Sequence, residues 1–200
     1  MNLATFGAAR AFSSNASVLA DLLRRAVVEV RAGETGSGTG IVWGGAGLIV
    51  TNAHCVPRGA SLEVNANGGG RWRDAQVIAY HPRHDLALLS APSASGPLLE
   101  LRDSDSVRAG ELVFAHGHPL GVRDALAMGV VHTVARDRQN QPRWIVADVS
   151  LAPGNSGGPL VDADGRLVGI NSMVVNGLGV AVPADLVQRF VDRAISQRAA

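Results

Sequence analysis

Residues 153–172 read PGNSGGPLVDADGRLVGINS, and two features of this stretch decide how the chain is read. Its second half is a hairpin. PLVD and RLVGINS are short apolar runs on either side of an Asp-Gly turn, a strong short-range hairpin signal. Its first half sets one serine, Ser156, among Gly154, Gly157 and Gly158, with Pro153 and Pro159 at the ends. Gly and Pro punctuate loops everywhere, so a plain surface turn is one reading. The other is that backbone N–H groups must face something there, and side chains would be in the way.

The strand-turn pattern continues outward from this hairpin. GIVW (40–43) and LIVT (48–51) flank a glycine-rich tip, SLEV (61–64) and RWRDAQVIAY (71–80) flank NANGGG, and DLALL (85–89) is a continuous apolar run. ELVFAH (111–116), AMGVVHTVA (127–135), RWIVADV (143–149), GPLVD, RLVGINSMVV and LGVAVP (178–183) follow. Short strands with turn signals every 8–12 residues or so predict an all-β sandwich or barrel. SAPSASGP (90–97) divides the strands into two groups. SVLADLLRRAV (17–27) has Leu19, Leu22, Leu23 and Ala26 at helical spacing with Ser17 as the cap, and residues 1–16, without a period, read as a loose arm. PADLVQRFVDRAI (183–195) reads as a closing helix, with Leu186 and Phe190, and Val187 and Val191, as i,i+4 pairs. The resulting division is an arm over 1–16, a strand group over about 27–90, a linker over 91–110, a second group over about 111–183 and a helix over 184–197.

Composition narrows the function. Hydrophobic residues make up 46% of the 200 and charged residues 18%, which fits a compact protein with a real core. A net charge of +1 with no basic run argues against an electrostatic nucleic-acid binder. No apolar stretch is long enough to span a bilayer, and MNLATFGAAR lacks the charged and apolar regions of a signal peptide. Cys55 is the only cysteine, so no internal disulfide forms. There is no lysine among the 18 basic residues, which removes Schiff-base chemistry, a Ser–Lys dyad and a P-loop.

A serine hydroxyl needs a base to take its proton, and the base needs a third group to hold its tautomer. GNSGG satisfies the G-x-S-x-G nucleophile elbow, but that fold places its histidine after the serine, and the last histidine here is His132. An order with aspartate first leaves only Asp21, which lies on the expected helix. The order His, Asp, Ser remains. His54 follows the strand LIVT directly, at a rigid strand end. Asp85 enters the apolar run DLALL, where a carboxylate needs a partner, and a histidine Nδ1–H is one. With Ser156 these residues predict a site at the seam between the two strand groups. His116 and His118 alternate on a strand but lack further ligands for zinc. They and the remaining histidines read as surface or satisfied residues, and Cys55 as a small buried hydrophobe. No metal or cofactor is expected.

GSGTGIVW…LIVTNAHCV, HDLALL, PGNSGGPLVDADGRLVGINS and GVAVP together resemble the trypsin-like serine proteases, more narrowly the protease domain of the HtrA/DegP family, over about residues 20–190. The resemblance implies two six-stranded antiparallel β-barrels with short N- and C-terminal helices, the active site between them, and hydrolysis of peptide bonds in polypeptide substrates. It implies His54 as general base and acid, Asp85 as its orienting partner and Ser156 as nucleophile. Gly154 N–H and Ser156 N–H would form the oxyanion hole, with Asn155 setting the turn between them.

The same resemblance puts Ser150 at the base of the S1 pocket, where an aspartate would select Arg or Lys. Leu151 and the strand Ser172-Met173-Val174 would supply walls and pair with substrate backbone, implying cleavage after Val, Ala or Leu. Ser172 would also donate to Asp85. Asn155 stands where digestive relatives carry an aspartate, so activation by a new N-terminus is not expected. HtrA enzymes usually add a PDZ domain, which these residues lack, and assemble as trimers through an N-terminal arm, where Phe6 and Phe12 are the aromatic residues. They imply a bacterial cell-envelope location. A peptide-binding or chaperone-like module of the same fold, without catalysis, and an esterase using the same triad stay open as alternatives.

Overall fold

A computed structural model describes residues 3–33, 36–44, 47–66, 73–92 and 94–199. It contains two closed six-stranded antiparallel barrels. The first is built from β1 (Val27–Ala32), β2 (Gly36–Val42), β3 (Leu48–Thr51), β4 (Leu62–Ala66), β5 (Arg73–His81) and β6 (Leu86–Ser90), in the order β1-β2-β3-β6-β5-β4. The second comprises β7 (Leu112–Gly117), β8 (Ala125–Arg136), β9 (Pro142–Asp148), β10 (Pro159–Asp162), β11 (Leu167–Val175) and β12 (Leu178–Pro183), in the order β10-β11-β12-β9-β8-β7. Helices α1 (Leu3–Ala26) and α2 (Ala184–Ala199) lie before and after them.

Side-chain alternation explains why several strands read as unbroken apolar runs. Ala87 and Leu89 of β6 pack with Val28, Val30, Ile49 and Val64 inside the first barrel. Leu86 and Leu88 face the other way, into a cluster with Ile41, Val50, Phe114, Leu167, Ile170 and Val182 drawn from both barrels. A strand buried on both faces loses the polar alternation of a half-exposed one. Each such Leu or Ile stabilises the fold by roughly 1.5–3 kcal/mol, so the barrels share one interior at their seam. Leu19 and Leu23 of α1 and Val187 and Val191 of α2 join the same cluster.

Three readings are corrected. α1 begins at Leu3 and is a 24-residue helix, neither short nor preceded by a loose arm over residues 3–16. Ser17 is an interior residue whose hydroxyl donates to the Ser13 carbonyl at 3.0 Å, and it caps nothing. Residues 7–15 are exposed all round the helix, so no apolar stripe announced them. VVEVRA (27–32) is a strand in its own right, pairing Val30 with Gly38 of β2 and with Val64 of β4. The linker is also firmly held: Arg102 donates to Asp162 at 2.9 Å, and the Asp185 carboxylate accepts the Ser104 N–H at 2.8 Å.

Candidate active site

Between the barrels lies a cavity of about 490 Å³ lined by His54, Ser156, Leu151, Met173 and Val174 among others. Each chemical group reaches it from the end of a regular element. His54 sits in a 3-10 turn (Ala53–Cys55) directly after β3. Asp85 is the residue before β6, in a tight turn closed by its own N–H to the Pro82 carbonyl at 3.2 Å, and it holds φ at +54°. Ser156 lies in the glycine-rich loop between β9 and β10, and Ser172 on β11.

The structure brings His54 and Asp85 into direct contact. His54 Nδ1 is 2.8 Å from Asp85 Oδ2 and 2.9 Å from Oδ1, and the His54 main-chain N–H donates to Oδ1 at 3.1 Å. The Ser172 hydroxyl donates to Asp85 Oδ2 at 2.6 Å. This side chain completes the support of the carboxylate from the second barrel. Burial pushes the Asp85 carboxyl upward, but the bonds from His54 and Ser172 outweigh it and hold the carboxyl below its ordinary range. The Asp85 bond pushes His54 well above the usual imidazole value, with Cys55 adding to the effect and burial opposing it. In the neutral ring, an Nδ1–H held by a carboxylate leaves Nε2 as the acceptor.

Ser156 does not adopt the orientation expected of a nucleophile paired with His54. Its hydroxyl donates to the Ser172 carbonyl at 3.1 Å. Among the described residues no hydrogen bond joins it to His54, although both line the same cavity.

The loop from Pro153 to Gly158 can be accounted for peptide by peptide. The Pro153 carbonyl accepts the Leu120 N–H at 2.8 Å, and the Asn155 carbonyl accepts the Gly158 N–H at 3.0 Å. In a trans peptide the N–H points opposite to the C=O. Anchoring these two carbonyls therefore turns the Gly154 and Ser156 N–H groups to the other side, and neither has a partner among the described residues. The Asn155 N–H is instead used internally, donating to Ala152 at 2.9 Å.

The clamp on this loop comes from the first barrel. Thr39 of β2, fully buried, donates its hydroxyl to the Gly154 carbonyl at 2.7 Å, accepts the His118 N–H at 3.2 Å, and donates its own N–H to the Ser156 carbonyl at 2.8 Å. The glycines answer to the same packing. Gly154 has φ +105°, and a Cβ there would lie 2.3 Å from the His118 carbonyl oxygen. At Gly157, φ is +84° and a Cβ would lie 1.9 Å from the Thr39 carbonyl oxygen. The missing side chains thus admit close backbone contacts as well as aiming N–H groups.

Leu151, Ser172, Met173 and Val174 line the cavity, while Ser150, which the resemblance puts at the base of the S1 pocket, is exposed and is not among the lining residues. Asn171, Ala152 and Ser37 line it without having been singled out. Pairing between β10 and β11 ends at Pro159 opposite Ile170, so the β11 edge from Ser172 onward is open on that side. Cys55 is buried within the first barrel's core. His116 is neither a surface nor a satisfied residue: it is fully buried, neither ring nitrogen has a partner among the described residues, and burial pushes it down to about 4. His118 is also buried; its Nδ1 accepts the Asp124 N–H at 3.3 Å and its Nε2 has no partner there.

Residues 38–170 match the trypsin-like peptidase domain family, and the chain belongs to that family. Its relatives there are of the HtrA/DegP kind. It is 31% identical over 168 residues to a "probable periplasmic serine endoprotease DegP-like" protein of Chlamydia muridarum, covering 80% of this chain and 34% of that one. It is 36% identical over 163 residues to the serine protease HTRA1 of Xenopus laevis, covering 78% and 35%. The serine protease HTRA4 of Mus musculus is 34% identical over 179 residues, covering 86% and 37%. The chain thus spans about a third of the length of the curated relatives it matches.

Proposed function

We propose that this chain is a serine endopeptidase that hydrolyses peptide bonds in unfolded or flexible polypeptides through an acyl-enzyme. The observation that carries the reading is the pair of unpartnered N–H groups, Gly154 and Ser156, in the same cavity as a carboxylate-bound imidazole. In this mechanism Ser156 Oγ attacks the scissile carbonyl carbon and His54 Nε2 takes the hydroxyl proton. The oxyanion develops between the two N–H groups. Collapse of the tetrahedral species returns the proton to the leaving amine and leaves the acyl group on Ser156. Water, deprotonated by His54, then releases the acid. Asp85 stays ionised throughout and holds the imidazolium as it forms.

The resting hydroxyl orientation fits a substrate-linked step. A substrate strand laid along the open edge of β11 presents an N–H to the Ser172 carbonyl, the acceptor that Ser156 now occupies. Displaced, the hydroxyl turns about one staggered side-chain bond toward His54. The apolar walls from Leu151, Met173 and Val174 support a small or medium aliphatic residue before the scissile bond. Polypeptide substrates and a cell-envelope location follow from the family likeness. So does self-association through α1, whose Phe12 is 45% exposed; the Phe6 side chain lies outside the described residues.

The observation favouring a peptide-binding module is the resting orientation of Ser156, whose hydroxyl engages the Ser172 carbonyl and not His54. Casein digestion by the chain and by S156A decides between them. Fragments from the wild type and none from S156A support the endopeptidase; intact casein in both, with measurable casein binding, overturns it. Release of p-nitrophenol from an acetate ester without any casein cleavage would point to the esterase.

A further inference from the structure

A second cavity, of about 320 Å³, shares no lining residue with the first. It is formed where the turn after β5, the β8–β9 hairpin and α2 meet, and its ionisable lining consists of His81, His84, Asp137, Arg143, Arg189 and Arg193. Three guanidinium groups thus face one carboxylate. That carboxylate is already engaged, since Asp137 Oδ1 accepts the N–H groups of Gln139 and Gln141 at 2.9 Å each and so braces its own hairpin. Arg189 and Arg193 stand one helical turn apart on α2, and neither side chain has an ion pair or hydrogen bond among the described residues. Like charges at this spacing destabilise a helix slightly.

The other basic side chains are held in place. Arg143 Nη2 donates to the Arg83 carbonyl at 2.7 Å. The His81 and His84 rings stack at 4.2 Å, and the His84 N–H donates to His81 Nδ1 at 3.2 Å. Acceptance at Nδ1 puts the proton of a neutral His81 on Nε2, as a donor. Burial, followed by the charges of His81, Arg143, Arg189 and Arg193, pushes His84 down to about 4. Burial disfavours any charge, but the smaller contributions from Arg143, Arg189 and Arg193 are of the sign that attracts an anion.

We propose that this cavity binds a phosphate-type oxyanion carrying at least two negative charges, seated between Arg143 of β9 and the Arg189–Arg193 pair of α2. A single carboxylate satisfies one guanidinium fork, leaving two more facing the same hollow, whereas a multiply charged phosphate offers acceptors to several forks at once. The site also touches the catalytic side of the molecule. The turn that lends it His81 and His84 ends at Asp85, and Arg143 grips the Arg83 carbonyl within that turn. An anion bridging His84, Arg143 and α2 ties this turn to the second barrel and so stiffens the segment that presents Asp85.

Isothermal titration calorimetry of the whole chain with pyrophosphate at low ionic strength tests the site without reference to catalysis. The expected result is saturable one-to-one binding, weakened at least 10-fold in R189Q/R193Q and in R143Q. Binding unchanged in R10Q, which alters an exposed arginine of α1, is expected as well. Because Arg189 and Arg193 are exposed, R189Q/R193Q should melt near the wild-type temperature without ligand and lose only the ligand-induced rise. Tighter binding of pyrophosphate than of glycerol 3-phosphate marks a free oxyanion as the ligand, and the reverse order marks a phosphate carried on an organic molecule. Absence of saturable binding at millimolar concentrations, equal binding by R189Q/R193Q, or tighter binding of an oligoglutamate peptide than of either phosphate overturns the proposal.

Discussion

Replacing Thr39 by valine removes one hydroxyl from the floor of the loop that carries Ser156, with almost no change in shape. That hydroxyl donates to the Gly154 carbonyl at 2.7 Å and accepts the His118 N–H at 3.2 Å, and the residue is fully buried. Two polar groups lose a partner, but they already lie 3.4 Å apart, donor to acceptor, and can close on each other. The stability cost is therefore near that of one unmade buried hydrogen bond, about 1–3 kcal/mol. The catalytic cost is separate. The Gly154 N–H shares its peptide with the Pro153 carbonyl, which the Leu120 N–H anchors. Thr39 holds the next peptide by the Gly154 carbonyl and so fixes the backbone at Gly154 from its other side, and T39V releases that second hold. Complete loss of an oxyanion donor costs roughly 10²–10³ in kcat. Partial release should lower kcat by about 10- to 100-fold with KM little changed, because the donor acts chiefly on the transition state. The assay is steady-state hydrolysis of a fluorogenic peptide at a temperature where both proteins are folded, with T39S as the control that keeps the hydroxyl. A folded T39V with kcat within about twofold of wild type would refute the clamp, as would T39S falling as far as T39V.

Other outcomes follow from the same geometry. Because the fold raises the pKa of His54, the His54–Asp85 pair contributes stability that is present below the ordinary imidazole value of 6.5 and fades as pH rises through the raised value. Activity needs neutral His54 and so rises over that same alkaline window; D85N should cut kcat by about 10³–10⁴-fold and shift the acid limb of the kcat/KM profile to lower pH, and an unmoved limb contradicts the pairing. G157A forces a Cβ to 1.9 Å from the Thr39 carbonyl oxygen at φ +84°, costing at least about 2 kcal/mol and lowering the melting temperature by at least about 4 °C in calorimetry; an unchanged melting temperature contradicts that contact. A peptide library should yield cleavage after Val, Ala or Leu, and Arg as the favoured residue would overturn the reading of the apolar walls.

Strand content was legible wherever side-chain chemistry and turns agreed, as in the Asp-Gly hairpin of β10 and β11 and the doubly buried run of β6. β1 was hidden because Val27 follows the helix with no Gly or Pro between them, and only its β-branched residues signalled the switch. The first half of α1 left no trace because it buries no face. At the candidate site, His54, Asp85 and Ser156 stood out through local motifs, each at an element's edge. Thr39 did not, because its role depends on a partner 115 residues away and a threonine between two glycines carries no signature. The unpartnered nitrogens of His116 and the exposure of Ser150 are equally tertiary facts. The arginines of the second cavity are scattered over β9 and α2 and form no run, so a net charge of +1 concealed a local excess.

The most direct test of the central claim is peptide mapping after treatment with a fluorophosphonate, comparing the wild type with H54A. The account predicts a single covalent adduct on Ser156 in the wild type and labelling slowed by several orders of magnitude in H54A. An adduct on another serine, or equal labelling rates in the two proteins, would contradict it.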